Sequence, residues 1–156
     1  MFPAPLRCTL DCDTYEQACQ ASAKASGKKL TKQAFAILPK IRQVDDYLRR
    51  DSVIAARVRE VHPEVCFTYW NGGRPMKFAK LSGFGFVERF RIVEQSFPGA
   101  AEQIREHHAA NEVSDDDILD ALAALWTAIR LHSSTAIRIG PDNARDAVGL
   151  PMSMWA

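Results

Sequence analysis

Residues 114–132 constrain the fold of this chain more than any other stretch. Ser114 opens the run Ser-Asp-Asp-Asp-Ile-Leu-Asp-Ala-Leu-Ala, which continues as a helical pattern to about His132. Ile118, Leu119, Leu122, Leu125, Trp126 and Ile129 almost encircle that helix. Such a pattern calls for burial on more than one side, as for a helix packed across a sheet. One face differs: Asp116 and Asp117, Asp120, Ala123 and Ala124, and Thr127 lie in line, acidic first and small afterwards. Small residues would let this face approach a sheet closely and leave the acidic end at its margin.

Capping accounts for part of the acidity. Ser114 is a good N-cap, Asp117 completes a capping-box-like pattern, and negative charge suits a helix N-terminus. Asp120 lies in the second turn, past the useful reach of the dipole. Its like-charge pairs with Asp116 and Asp117, four and three residues away, each cost roughly 0.2–0.5 kcal/mol. No Lys or Arg stands at 121, 123 or 124 to neutralise them. The expectation is a cation or basic partner from outside the helix.

A chain of 156 residues with 47% hydrophobic content has the size of one domain, 1–156, with a real core. A formal net charge of +1, from 20 basic and 19 acidic residues, excludes a global field for polyanions. Nucleic-acid contact must then come from a local patch. No apolar run approaches a membrane span, and the start of the chain has neither a basic n-region nor an apolar h-region. The expected location is the cytoplasm, without a membrane partner. Cys8, Cys12, Cys19 and Cys66 form no Cys-x-x-Cys pair, so reduced thiols are expected rather than a zinc site.

Along the chain, residues 1–11 read as extended because Pro3 and Pro5 restrict their predecessors. Asp13 with Glu16 marks a helix start, and Gly27 its end. A second helix follows Thr31, kinked or split at Pro39. Lys28, Lys29, Lys32, Lys40 and Arg42 make this the most cationic part of the chain, either a solvated face or a phosphate-backbone contact. Val53 to Val61 reads as a strand. Helices are expected from Pro63 to the Asn-Gly-Gly turn at 71–73, after Gly85 to about Ser96, and over 100–110. Phe67, Tyr69 and Trp70 read as core rather than as a base-stacking platform. Thr135 to Ile139 and Met152 to Trp155 read as short strands.

Glu60 ends a predicted strand, while Asp117 and Asp120 begin a helix. Residues three apart on a helix are separated by about 60° of rotation, so both carboxylates can face one spot. A strand-end Glu with two helix Asp residues offers the hard oxygen donors that Mg²⁺ or Mn²⁺ takes. The plainer alternative is a solvated strand terminus beside a helix cap. Lys77 and Lys80, on a basic glycine-containing loop, suit phosphate as point charges.

Six ordered blocks then carry a resemblance: residues 2–7 (FPAPLR), 27–45 (GKKLTKQAFAILPKIRQVD), 58–67 (VREVHPEVCF), 71–76 (NGGRPM) followed by 88–90 (ERF), 115–128 (DDDILDALAALWTA) and 149–155 (GLPMSMW). They resemble a bacterial and archaeal domain-of-unknown-function family, family 429, described as predicted RNase H-like nucleases. Asp117-x-x-Asp120-Ala-Leu-Ala also looks like the final helix of RuvC-type Holliday-junction resolvases. The resemblance implies an α/β fold, the C-terminal portion of an RNase H-like domain, helix-rich with a small incomplete sheet. It implies Glu60, Asp117 and Asp120 as catalytic and metal-binding residues, with Mg or Mn as cofactor. His62 and Glu64 belong to the same Glu-Val-His-Pro-Glu block; we group His62 with Lys77 and Lys80 as substrate-binding. Family members usually begin with a strand bearing a Val-Asp-Gly-Cys-like sequence, whose Asp is the expected central ligand, and this chain starts at the Phe-Pro-Ala-Pro block. The expectation is a metal-dependent nuclease that acts on nucleic acid with its sheet completed by a second chain or a second copy, and that is inactive alone. A non-catalytic helical interaction module, its acidic helix end binding a basic partner, is the alternative; a hydrolase of other phosphate esters shares the metal logic.

Overall fold

The computed structural model describes residues 4–156. The chain separates into two compact units, Met1–Val58 and Arg59–Ala156. Of the extended reading of residues 1–11, residues 1–3 lie outside the described residues, and Arg7–Thr9 is a 3-10 turn rather than extended chain.

In the first unit a 3-10 turn spans Arg7–Thr9, followed by α1 (Tyr15–Ser26), α2 (Lys32–Ala36), α3 (Leu38–Arg50) and α4 (Ser52–Arg57). The cap of α1 is Thr14, one residue past the expected Asp13. Thr14 and Gln17 form a reciprocal capping box, which satisfies two of the helix's orphan amides. Gly27, at φ 73°, ends α1 in the left-handed region as expected. Pro39 splits the second helical stretch: it takes the first turn of α3, where its missing N–H costs nothing. Arg42 donates to the carbonyls of Leu10 and Cys12, while the lysines beside it remain exposed. Leu10, Ala18, Cys19, Leu30, Ala34 and Leu38 form the small core.

The strand expected over Val53 to Val61 is mostly helix. Asp51 Oδ1 accepts from the amides of Val53 and Ile54 at 2.8 and 3.1 Å, and this N-cap turns the β-branched residues into α4. Only Glu60–Val61 remains as strand β1.

In the second unit β1 leads to α5 (Pro63–Trp70), α6 (Gly83–Ser96), α7 (Ala100–His107), α8 (Asp115–His132), β2 (Arg138–Ile139) and β3 (Met154–Trp155). The sheet order is β1-β3-β2, with β1 parallel and β2 antiparallel to β3. Glu60 aligns with Met154 and Val61 with Trp155. Helix α8 packs against α5, α6 and α7, burying Ile118, Leu119, Leu122, Ala123 and Thr127. The small face therefore serves a close approach to another helix and not to a sheet: Thr127 Oγ1 lies 3.2 Å from Cys66 Sγ on α5. Leu125 and Ile129 stay exposed, so α8 is buried on one broad side. Phe67 is fully buried, and Trp70 stacks between Phe67 and Trp126, as expected of core aromatics. Among the described residues, no helix is long and apolar enough to cross a membrane.

The start of α6 is set by a close approach. Ser82 caps it through Gly85 N, and a Cβ on Gly85 would lie 2.0 Å from the Ala79 carbonyl oxygen. Alanine normally gains about 0.5–1 kcal/mol over glycine inside a helix. Gly85→Ala is expected instead to destabilise the protein in urea titration, because the 79–82 turn must move; a more stable variant would contradict this packing.

Candidate functional site

The acidic start of α8 receives its counter-charge from its own chain. Lys80 Nζ, on the segment between α5 and α6, lies 2.6 Å from Asp120 Oδ2 and 3.2 Å from Asp116 Oδ2. Residues four apart share a helix face, so one ammonium can meet both carboxylates. The remaining Asp116 oxygen is 2.7 Å from Ser114 Oγ, and the same hydroxyl lies 2.6 Å from Asp117 Oδ2 while capping Asp117 N. Asp115 pairs with Arg105 at 2.7 Å. Asp117, Ser114, Asp116, Lys80 and Asp120 thus form one continuous polar chain around the helix start.

Asp120 is the buried end of that chain. Burial pushes its carboxyl above the ordinary value, Lys80 opposes the rise, and the negative charges of Asp116 and Glu64 add to it. Asp116 moves the other way, held down by the Ser114 hydroxyl and then by Lys80. Burial pulls Lys80 down, yet its contacts with Asp120 and Asp116 leave it above the ordinary value. Asp120 Oδ1 is buried with no hydrogen-bond partner among the described residues, and so is His62 Nδ1 at the N-cap of α5. A buried polar atom left in that state costs about 1–3 kcal/mol.

Glu64, in the first turn of α5, closes the neighbourhood. Its carboxylate takes a two-pronged contact from the buried Arg89 of α6, through Nε at 2.8 Å and Nη2 at 2.5 Å. Arg89 also donates to the Gly85 carbonyl at 2.8 Å. Burial raises the Cys66 thiol, and the charge of Asp120 adds to the rise. A cleft of about 280 Å³ opens beside this cluster, lined by Lys80, Phe86, Asp115 and Asp116 among others.

The residues singled out from sequence separate in space by role. Asp120 stands at the centre, and Asp117 is exposed and held at Ser114. Glu60 is exposed on the edge strand β1. Lys80 is engaged by the two aspartates, while the Lys77 ammonium sits 5.3 Å from the Phe78 ring centroid. Among the described residues, no three or more His, Cys, Asp or Glu side chains gather closely enough to hold a metal ion. Sequence reasoning called for an outside cation at Asp116 and Asp120 without naming Lys80, and passed over Glu64–Arg89 as an ion pair. The four-residue spacing of Asp116 and Asp120 signals the cation; nothing local signals the ion pair, whose members lie 25 residues apart.

With this geometry in view, the chain belongs to the family described as protein of unknown function DUF429, whose model matches residues 1–145. Comparison with curated proteins gives no match, and comparison with solved structures gives none.

Removing Lys80 leaves Asp120 half-buried beside like charge. Lys80→Met is expected to cost about 1.5 kcal/mol at neutral pH, the low end for a hydrogen bond to a charged group. Without the ammonium the folded-state Asp120 pKa rises further above its unfolded value, so the variant holds protons on this carboxyl that the wild type releases. Its deficit must shrink as pH falls through the carboxylate range. Melting temperatures of both proteins across pH 3–7 (a range of about that width covers the titration) check the sign; a deficit that is constant or grows on acidification would contradict it.

Proposed function

We propose that this chain forms part of a divalent-metal-dependent phosphodiester hydrolase of the RNase H-like kind, acting on nucleic acid, with its metal-facing carboxylates at the start of α8. The observation that carries this reading is the convergence of Asp116 and Asp120 on one cation position, with a second Asp120 oxygen buried and unpartnered. Carboxylate oxygens are the donors Mg²⁺ and Mn²⁺ prefer, so the pair fits such an ion in chemistry. Asp117 and Glu60 are the further ligands that the family resemblance implies. Asp117 would have to leave Ser114 to join Asp120, and Glu60 stands on a strand paired with β3 through one edge. The other edge of β1 suits a further strand, from this chain or a second one.

A divalent ion at such a site activates water and offsets charge on a phosphoryl oxygen. The protein's own contributions follow from its contacts. Asp116 and Asp120 supply negative charge from a rigid helix. Lys80, once released from them, is a point charge within reach of a phosphate held near Asp120. The buried Arg89 keeps Glu64 oriented and neutralised beside Asp120.

A second reading has one observation in its favour: Lys80 already satisfies the aspartates. On that reading the cluster is a structural clamp in a non-catalytic module. Labelled single- and double-stranded DNA and RNA, incubated with Mn²⁺ or with EDTA, separate the two. The nuclease reading predicts EDTA-sensitive cleavage that falls more than about 100-fold in Asp120→Asn, the scale for loss of a charge-stabilising group. It also predicts that Lys80→Met binds Mn²⁺ more tightly than wild type, because the competing ammonium is gone. No metal binding by either protein, and no cleavage, would leave the clamp.

A further inference from the structure

The segment joining α5 to α6 and the first turns of α6 expose apolar surface. Leu81 is 89% exposed and Phe84 74%, with Phe78 and Val87 also exposed beside them. Leaving each of these side chains in water forgoes roughly 1.5–3 kcal/mol of burial. The Phe78 and Phe84 rings are in contact, with centroids 5.4 Å apart and planes tilted by 32°. Phe84, Val87 and Arg91 follow the i, i+3, i+7 spacing that places them on one face of α6, and Arg91 is exposed.

This surface is held out by charge. Glu88 accepts from the amides of Lys77 and Phe78 at 2.9 and 3.1 Å, and those two bonds hold its carboxyl below the ordinary value. Arg89 donates to the Phe78 carbonyl at 3.4 Å, and Lys80 ties the same segment to α8. These contacts fix the backbone of Phe78 and the ammonium of Lys80, and Phe84 stands beside them in the first turn of α6.

We propose that Phe78 and Phe84 form a stacking platform for the bases of a single-stranded nucleic acid, with Lys77 and Arg91 flanking it for the phosphates. Charge selects this occupant. Residues 74–82 carry Arg74, Lys77 and Lys80 and no acidic residue. The neighbouring acids are already engaged, Asp115 by Arg105, Asp116 and Asp120 by Lys80, and Glu88 by the amides of Lys77 and Phe78. Aromatic faces between cations are the arrangement that takes unpaired bases along a phosphate backbone. A duplex has its bases already stacked on one another and offers the rings no free face. The inference rests on the nuclease reading in naming the substrate class of that same site, since the cleft beside Asp116 continues to Leu81.

The test is anisotropy of a fluorescein-labelled oligo-dT of about 12 nucleotides, titrated in EDTA so that cleavage plays no part. Wild type should bind, and Phe84→Ala should weaken binding about tenfold while Phe84→Tyr retains it. Circular dichroism confirms the fold of each variant. Lys77→Gln should flatten the log Kd against log salt slope by about 0.7, one phosphate contact on a single strand. Equal binding by Phe84→Ala, or equal competition by a duplex of the same length, would overturn the platform. So would an absence of oligonucleotide binding together with Phe84-dependent self-association or binding to anionic vesicles. Binding that depends on Phe84 without metal-dependent cleavage upholds the platform and removes the nuclease reading; cleavage indifferent to Phe84 does the reverse.

Discussion

A single ammonium, that of Lys80, organises the second unit of this protein. Four aspartates within six residues would repel one another at the start of α8, and the helix dipole reaches only the first turn. Lys80 settles the two that share a face, and Ser114 and Arg105 take up the others. In doing so it fixes the segment between α5 and α6 against α8. Gly85 lets the Ala79 carbonyl sit against the first turn of α6, which sets where that segment ends.

The same contact links the two functional ideas. On one side of Lys80 lie carboxylates that share a cation position and an unpartnered buried oxygen. On the other side lies an exposed aromatic pair, of which Phe78 is held through its backbone by Glu88 and Arg89. A hydrolase of single-stranded nucleic acid needs both features next to each other, and a structural clamp needs neither the orphan oxygen nor the exposed rings.

Local signals in the sequence carried over well. Ser114 and the apolar spacing marked α8 from Asp115 to His132, Pro63 and the Asn-Gly-Gly turn bounded α5, and Pro39 split α2 from α3. The need for an outside cation at Asp116 and Asp120 was legible too, because like charges four apart on a helix must be offset. Its identity was not, since Lys80 is 40 residues from Asp120 and pairing over such a span leaves no periodic trace. Glu64–Arg89 was hidden for the same reason. The misread at 53–61 had another cause: β-branched Val53 and Ile54 favour a strand, but capping of their amides by Asp51 outweighed that weak preference. The encircling apolar pattern of α8 overstated its burial, because Leu125 and Ile129 remain exposed and the partners are helices.

A double-mutant cycle on Lys80→Met and Asp120→Asn, read by urea unfolding at neutral pH, tests the Lys80 clamp most directly. Contacting charged groups in one network couple by about 0.5–3 kcal/mol. The clamp predicts a coupling in that range, with Asp120→Asn relieving most of the damage done by Lys80→Met. Additive single effects, with coupling indistinguishable from zero, would mean that Lys80 does not hold α8 and would contradict the account at its base.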